Sequence, residues 1–388
     1  MTGEIGVDWE QRVDWAAIRE YRVSRLRERL GAAGIDGVLT QRFENLRYTT
    51  SCRPFTSISY FPRYASFVPV EGEVCLLSEA GDVDLNRDGM PWIKDLRVWP
   101  YDVGESVEVV SQVITDNGLT SSRIGYDDMV SPTVVLALAE RFPGAEFADA
   151  TKAIAEAKMI KSAGELEVIQ AATIIAEVGM AAAREAVREG IRECDLAGVM
   201  THAMFSAGAD TLLAYPQVST DPRRRMGTDR RVRHGDLVLV DINIGFNGYV
   251  GDFARTFTVS EPTQEQRDVF QVQLGCVEAA VGAVAPGVHV RDVQAAVSNV
   301  VEQAGLAEYW ADYITGHGIG TGVGPLEQPI VGAGPGLVET LEEGMVIAFE
   351  PGIFKPGVGP MRNEEVVVVT ADSAEVLTRS PYDERLSG

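Results

Sequence analysis

Residues 237–257 read LVLVDINIGFNGYVGDFARTF, and this stretch decides how the second half of the chain is built. Asn247 and Gly248 lie between two apolar runs, which is the strongest short-range signal for a two-residue β-hairpin turn. With these two residues as the loop, the strand register places Asp252 opposite Asn243, and residues two apart on a strand share a face. Asp241 and Asp252 therefore project from one face of the hairpin as diagonal neighbours.

Two acids side by side on an otherwise apolar hairpin are unfavourable, because like charges and burial both raise the pKa of a carboxyl group. A cation that neutralises Asp241 and Asp252 is the functional interpretation. Two solvent-facing acids on a polar sheet face are the alternative, and this segment alone leaves it open.

Three further residues have the right chemistry and the right sequence context for the same site. His317 lies in the run GHGIG, where the glycines let the backbone come close to a site. Glu350 and Glu364 each end or begin an apolar strand pattern. Taken singly, each residue has a structural explanation, as a core histidine or a charge at a strand end. Together, four carboxylates and one imidazole suit two divalent cations, and such mixed ligation favours Mn, Fe, Co or Zn.

The order of helical and strand patterns predicts two domains. The first half alternates a helix with short strands, which predicts an α/β layer; its elements are a helix at Arg19–Gly31 and strands at Gly37–Thr40, Ser66–Val70 and Glu73–Ser78. A long helical tract, Lys152–Ala186, follows, and we place the domain boundary within it, near Lys158–Ser162.

The second half predicts an α+β domain with an antiparallel sheet faced by helices. Helices are predicted at Glu165–Glu189, Asp195–Ala207, Gln264–Val284 and Val290–Ala304. Strands are predicted at Leu237–Ile244, Tyr249–Val259, Met345–Pro351 and Glu364–Val369.

The composition is that of an acidic globular protein. Hydrophobic residues are 45% and charged residues 23% of the 388 residues, which is enough apolar material for a sizeable core. The formal charge of −23 argues against nucleic acid and anionic membranes as partners. We find no signal sequence and no apolar run of the roughly 20 residues that a membrane helix needs, so we expect a cytoplasmic protein. The four cysteines form no CxxC pair and predict buried free thiols.

The residues of the predicted site resemble a known family. Over roughly Met159–Thr378 the chain resembles the pita-bread metallopeptidases, which include aminopeptidase P, prolidase and creatinase. The resemblance rests on two Asp residues eleven apart, a His in a GHGIG loop, a Glu before Pro-Gly, and a Glu in an Arg-x-Glu strand. The Arg-x-Glu spacing from Arg362 selects Glu364 over Glu365.

The resemblance implies a role for each residue. Asp241 would chelate one metal, Asp252 and Glu364 would bridge two, and His317 and Glu350 would complete the second. It implies Mn as the first choice of metal, Glu350 as the proton carrier, and a homodimer. It also implies two domains, with residues 1–158 similar to the creatinase and prolidase N-terminal domain and residues 159–388 forming the pita-bread catalytic domain.

The chain departs from the family at two histidines that contact the scissile amide and its tetrahedral intermediate in the peptidases. The stretch Asp221–Arg230 contains no histidine, and Leu326 stands where a His-Glu-x-Pro run would begin. The sequence therefore lacks two of the peptide-specific contacts that the resemblance implies. As candidate substrate contacts we take the basic and aromatic residues Arg225, which would hold a substrate carboxylate, Arg362, Arg53 and Tyr60.

The sequence therefore predicts a metal-dependent hydrolase of an amide or other C–N bond in a small substrate, nearest to Xaa-Pro dipeptidase and aminopeptidase P. One alternative is a non-peptidase enzyme on the same scaffold, such as a creatinase-like amidinohydrolase or a sulfoniopropionate lyase, which the missing histidines favour. Another is a catalytically silent binding protein, which the full set of five ligands argues against. Metal content and a dipeptide panel would discriminate among them.

Overall fold

The structure is a computed structural model that describes residues 8, 12–52, 64–212, 216–222, 226–324, 327–334, 336 and 338–388. The chain divides into two compact units, Met1–Lys158 and Met159–Gly388. Each unit is described by itself below.

The first unit is built on a six-stranded mixed sheet. Its elements are α1 (Trp15–Ala32), β1 (Gly37–Thr40), α2 (Phe43–Thr50), β2 (Ala65–Pro69), β3 (Cys75–Ser78), α3 (Val83–Gly89), β4 (Asp95–Val98), α4 (Val103–Asp116), β5 (Arg123–Tyr126), α5 (Pro132–Arg141), β6 (Glu146–Asp149) and α6 (Thr151–Met159). The strand order is β4-β3-β2-β1-β5-β6, with β2 antiparallel to both of its neighbours and the other pairs parallel. The predicted α/β layer has this form.

Local sequence accounts for the first elements of this unit. Asp14 caps α1 by accepting a hydrogen bond from the backbone N–H of Ala17, so the helix begins earlier than the predicted Arg19. Apolar residues at helical spacing, including Ile18, Leu26 and Leu30, are buried on its inner face. Strand β1 has the predicted bounds, and β2 and β3 pair as predicted, within a residue or two of the expected ends.

The second unit contains two antiparallel sheets and a two-stranded ribbon. Its elements are α7 (Ala163–Ala186), α8 (Glu193–Ser206), β7 (Thr211–Leu212), β8 (Gln217–Ser219), β9 (Leu237–Phe246), β10 (Tyr249–Thr258), α9 (Gln264–Gly282), α10 (Val290–Gln303), β11 (Gly316–Gly318), β12 (Ile330–Val331), β13 (Val346–Phe349), β14 (Ile353–Lys355), β15 (Gly359–Met361), β16 (Glu365–Val369), β17 (Ala374–Val376) and α11 (Glu384–Ser387). One sheet has the order β10-β9-β7, with β8 also paired to β9, and the other has the order β12-β11-β13-β16-β17.

The hairpin β9–β10 has the register that its turn predicts. Asp252 pairs with Asn243 and Asp241 with Ala254. The backbone φ angles of Asn247 and Gly248 are +49° and +77°, which is the left-handed conformation that an Asn-Gly hairpin turn requires. The turn therefore fixes which residues of both strands share a face.

A short break separates helix α7 from α6, although the sequence pattern is helical throughout Lys152–Ala186. Ser162 and Glu165 form a capping box, in which the side-chain oxygen of each residue accepts a hydrogen bond from the backbone N–H of the other, so a new helix begins at Ala163. Among the described helices, α7 alone is long and apolar enough to cross a membrane by length and composition. Half of its most apolar stretch of 18 residues is buried. Our expectation that no segment reaches that length is wrong by this measure.

The packing of α7 shows where its apolar residues go. The helix packs against β9 and β10, and a side chain at Gly251 of β10 would place its Cβ 2.4 Å from the carbonyl oxygen of Ala172. Only glycine allows the strand and helix to approach this closely. Helix α7 is thus a core helix that backs the hairpin carrying Asp241 and Asp252.

Candidate metal centre

The hairpin presents two buried acids on one face. The Asp241 and Asp252 residues are each 3% exposed. Asn243, which lies between them, donates a hydrogen bond from Nδ2 to Asp252 Oδ1 at 2.7 Å and approaches Asp241 Oδ1 at 3.4 Å. The two carboxylates are therefore close neighbours, as the register predicts.

His317 reaches these acids from the second sheet, on β11. A Cβ at Gly316 would lie 2.6 Å from the carbonyl oxygen of Ala348, and one at Gly318 would lie 2.3 Å from that of Gln328, so neighbouring backbone crowds both flanking positions. The glycines of the GHG run let β11 fit between β12 and β13.

The orientation of the His317 ring leaves one nitrogen facing the acids. Nε2 lies 3.6 Å from Asp252 Oδ2 and 3.5 Å from Glu350 Oε1. Nδ1 lies 3.0 Å from the carbonyl oxygen of Gly318 and 3.2 Å from the backbone nitrogen of Gly324. A hydrogen bond to the Gly318 carbonyl requires a proton on Nδ1, whereas a hydrogen bond from the Gly324 N–H requires an Nδ1 without a proton. A proton on Nδ1 leaves the Nε2 lone pair for a cation, so the Gly318 contact is the one that fits metal ligation.

Glu350 and Glu364 stand just outside paired strands, where the ladder between β13 and β16 ends at Phe349 opposite Glu365. The backbone N–H of Glu364 donates to Ala254 O at 3.1 Å, which joins the start of β16 to the hairpin. Glu365 points to the other side, since alternate strand residues face opposite ways, and its carboxylate binds Arg255. The structure thus brings Glu364, and not Glu365, to the acids.

All five predicted ligands converge in the second unit. Within the described residues, two groups have ligand atoms that all lie within 4.8 Å of one another, and these are Asp252, His317 and Glu364, and Asp241, Glu350 and Glu364. Glu364 belongs to both groups. Two adjoining cation positions that share one carboxylate fit this arrangement.

The electrostatics of the cluster also fit divalent cations. Burial, followed by the charge of neighbouring carboxylates, raises the pKa of Asp252 and of Glu364 well above the ordinary range. Burial raises the pKa of Asp241 as well. Both carboxylate oxygens of Glu364 are buried and have no hydrogen-bond partner within the described part of the chain. Buried acceptors without donors destabilise a protein unless a cation or another donor meets them.

One positive side chain already lies among these acids. The Arg362 guanidinium donates from Nη1 to Asp241 Oδ2 at 2.8 Å and lies 2.6 Å from Glu350 Oε2. Burial lowers the pKa of Arg362, but the charges of Glu350 and Asp241 outweigh it and raise that pKa. Arg362 was predicted as a substrate contact, and the structure places it on two of the acids. A single guanidinium leaves the cluster with excess negative charge.

The other predicted residues lie elsewhere. Arg225, Arg53 and Tyr60, together with Leu326, fall outside the described residues. Of the histidines other than His317, His202 is exposed on α8, His234 is exposed near Glu189, and His289 caps α10. None of these three is in either ligand group.

Asn243 is a site residue that the sequence analysis did not single out. Its signal was present, because the predicted register places it directly opposite Asp252 on the acidic face. It is partly exposed, whereas the two acids are buried, so it lies on the open side of the cluster.

Comparisons with known proteins agree with this site and fold. The model of metallopeptidase family M24 matches residues 167–371, and that of the creatinase/prolidase N-terminal domain matches residues 22–160. The Xaa-Pro dipeptidase of Pyrococcus furiosus is 31% identical over 262 residues, which cover 66% of this chain and 74% of that protein. The creatinase of a Bacillus species is 26% identical over 391 residues, covering 93% of this chain and 90% of the enzyme.

Solved structures show the same architecture. The dipeptidase PepE of Mycobacterium ulcerans superposes with a TM-score of 0.80 at 26% identity, covering 95% of this chain and 98% of that one. The predicted pita-bread fold with a creatinase-like N-terminal domain is confirmed. The prediction of a metal-dependent hydrolase is confirmed at the level of the family, which implies divalent metal ions. This chain belongs to metallopeptidase family M24 and is a metal-dependent hydrolase.

Proposed function

We propose that the chain uses two divalent metal ions to hydrolyse an amide or other C–N bond in a small substrate that carries a carboxylate, with Xaa-Pro dipeptides as the nearest class. One observation carries the proposal. Glu364 belongs to two adjoining groups of ligand-type side chains, and both of its buried oxygens lack a donor among the residues that the structure describes.

In this proposal each of the five residues has the role that the family resemblance implies. Asp241 would help to hold one ion, His317 and Glu350 the other, and Asp252 and Glu364 both. The short distances from His317 Nε2 to Asp252 and to Glu350 support the placing of these three residues around one ion, although Glu350 also groups with Asp241 and Glu364. Mn is the first choice, with Fe, Co and Zn as alternatives, because the ligands are mainly oxygen with one imidazole.

Two ions held here would lower the pKa of a water molecule and polarise the substrate carbonyl. Glu350 is suited to carry the proton from that water to the leaving nitrogen, because its side chain is 13% exposed, against 3% for Asp241 and 4% for Asp252. Arg362 holds one oxygen of Glu350 and thereby orients the other. The carboxylate that carries the proton would then be the most exposed of these three carboxylates.

The substrate class is argued from relatives and from what this chain lacks. The P. furiosus relative is an Xaa-Pro dipeptidase and PepE of M. ulcerans is a dipeptidase, whereas the Bacillus relative, aligned over 93% of this chain, is a creatinase. The chain has four histidines in all, and only His317 lies in the cluster. Loss of one well-placed donor to a reacting carbonyl costs about 10²- to 10³-fold in rate. Turnover of ordinary Xaa-Pro dipeptides is therefore expected to be weak, and a creatinase-like reaction is the second candidate.

The test begins with elemental analysis of the purified protein, followed by a panel of Xaa-Pro dipeptides assayed with Mn, Co, Fe and Zn in turn. About two metal ions per chain are expected, and a metal-free active enzyme would favour the creatinase-like alternative. A kcat/KM above about 10⁴ M⁻¹s⁻¹ on Xaa-Pro dipeptides would show that the missing histidines are compensated. Arg225→Ala, assayed on the same panel, should raise KM if this residue holds the substrate carboxylate.

We also propose that the protein is a cytoplasmic homodimer. The family resemblance supports the dimer, and the formal charge of −23, which opposes binding to anionic membranes, supports the location. Sedimentation at micromolar concentration checks the dimer, and a single 42.0 kDa species would contradict it.

A further inference from the structure

A network of buried amide side chains binds the chain segments beside Glu350 and Glu364 and includes none of the five candidate ligands. Its centre is Gln273 of α9, whose side chain is fully buried. Gln273 Nε2 donates to Pro351 O at 2.8 Å and to Asn363 O at 3.0 Å. Its Oε1 accepts from Asn363 Nδ2 at 2.6 Å. One side-chain amide thus binds the residue after Glu350 and the residue before Glu364.

The position of this amide follows from where the strand ladder stops. Strands β13 and β16 pair as far as Phe349 opposite Glu365. The next residues outward are Glu350 and Glu364, and their backbone N–H groups donate elsewhere, to Thr315 O and Ala254 O. No ladder bond between the two strands therefore fixes the segments that carry these carboxylates. Gln273 provides the missing connection, since Pro351 cannot donate and its carbonyl needs a donor.

Asn363 extends the connection to the hairpin. Its Oδ1 accepts from the backbone N–H of Thr256 on β10 at 3.3 Å. Thr256 Oγ1 in turn donates to Arg362 O and accepts from the Arg362 N–H, both at 3.0 Å. Gln273, Asn363 and Thr256 are all fully buried. The chain segments bearing Glu350, Arg362 and Glu364 are thus held by one continuous set of hydrogen bonds.

We propose that Gln273 is a positioning residue of the metal centre, which fixes the spacing between Glu350 and Glu364 through the backbone beside them. The inference rests on the proposed function, because it assumes that these two carboxylates hold metal. Groups outside the ligands that orient them typically contribute about 10- to 100-fold to metal affinity or activity. Gln273 would orient the two carboxylates indirectly, by binding the backbone carbonyls of Pro351 and Asn363 next to them.

The same helix offers a matched control. Gln266 of α9 is also buried, donates from Nε2 to two backbone carbonyls, Gly235 O at 2.9 Å and Val358 O at 3.2 Å, and accepts from Thr263 N–H at 2.9 Å. It therefore makes the same kinds of bonds as Gln273 but touches neither ligand segment. Substituting Met at either position keeps the length of the side chain and removes its amide.

The experiment compares wild type, Gln273→Met and Gln266→Met after removal of metal with a chelator. Thermal unfolding of the metal-free proteins is measured first, and both variants should unfold at lower temperature than wild type, because each leaves buried carbonyls without donors. Mn²⁺ is then titrated into each protein by calorimetry. The Kd should weaken about 10- to 100-fold in Gln273→Met and stay at the wild-type value in Gln266→Met.

If Gln273→Met does not fold, Gln273→Leu takes its place, since it also removes the amide and adds no charge. Equal Mn²⁺ affinity in the Gln273 variant and wild type would overturn the inference, as would equal weakening in both variants, which would show a general effect of α9 packing. Wild-type protein that binds no Mn²⁺, Co²⁺, Fe²⁺ or Zn²⁺ would overturn the proposed metal site itself. The two failures are therefore distinguishable.

Discussion

Replacing Glu364 by Gln should have opposite effects on the metal-free and the metal-loaded protein. Without metal, Glu364 is buried among Asp241, Asp252 and Glu350, and its two oxygens have no donor in the described part of the chain. Glutamine removes one negative charge, and its amide nitrogen donates to the neighbouring carboxylates. With metal, the same change removes the one residue that belongs to both ligand groups.

The geometry sets the size of both effects. Two carboxylates whose ligand atoms lie within 4.8 Å repel by about 3 kcal/mol at an effective dielectric constant of about 20. Because such a cluster shares protons, we expect a gain of about 1–3 kcal/mol in the metal-free unfolding free energy. For a chain of 388 residues this corresponds to an unfolding temperature about 1–4 °C higher than that of metal-free wild type. Metal at 100 times its Kd stabilises wild type by about 2.7 kcal/mol, and this shift should be lost in Glu364→Gln.

The assay is thermal unfolding, with and without Mn²⁺, of wild type, Glu364→Gln and the control Glu365→Gln. Glu365 lies on the other side of the strand and binds Arg255 at 2.9 Å and Tyr382 at 2.6 Å. Breaking this buried ion pair should cost about 3–5 kcal/mol in both conditions and leave the Mn²⁺-induced shift in place. The reasoning is refuted if metal-free Glu364→Gln is less stable than wild type, or if it keeps the wild-type Mn²⁺ shift.

Three further substitutions test the residues that surround the site. Asn243→Ala removes the donor to Asp252 and should weaken Mn²⁺ binding by about 10- to 100-fold in a calorimetric titration; an unchanged Kd would show that this hydrogen bond does not orient the acid. Gly251→Ala would place a Cβ 2.4 Å from Ala172 O and should lower the unfolding temperature, by about 1–3 kcal/mol or more in free energy, because α7 must move away from the hairpin. Gly275 lies inside α9, and an added Cβ would meet its nearest atom, Val300 Cγ1, at 3.6 Å. Gly275→Ala should therefore raise the free energy of unfolding by about 0.5–1 kcal/mol, and a lower free energy of unfolding would contradict the helix packing.

The sequence by itself determined the features that depend on neighbours along the chain. The Asn247-Gly248 turn sets the hairpin register, because a two-residue loop of this type allows only one pairing of residues between the two strands. The period of two along each strand then places Asp241 and Asp252 on one face. Helix α9 begins at the predicted Gln264 because Thr263 and Gln266 form a capping box that is visible in the sequence. The five candidate ligands came from their spacing and from the family resemblance.

Local signals were weaker where the chain changes direction without a strong breaker. The tract Lys152–Ala186 has a helical pattern throughout. We expect a boundary near Lys158–Ser162 and a helix from Glu165, but the pattern does not mark the gap between Met159 and Ala163 that the structure contains. The short strand β11 around His317 was also not predicted, since three residues rich in glycine carry no strand pattern. It becomes a strand because β12 and β13 pair with it on both sides.

Only the tertiary structure decided what lies around the ligands. The placement of Arg362 on Asp241 and Glu350 joins residues 121 positions apart in one case, and no local pattern encodes such a contact. The link from Gln273 to Asn363 spans 90 positions, and a glutamine on a helix has no sequence mark that separates a buried connector from an ordinary polar residue. The physical reason is common to both. Turn geometry and side-chain alternation act over a few residues, whereas a buried hydrogen bond between distant segments exists only once the sheets and helices have packed.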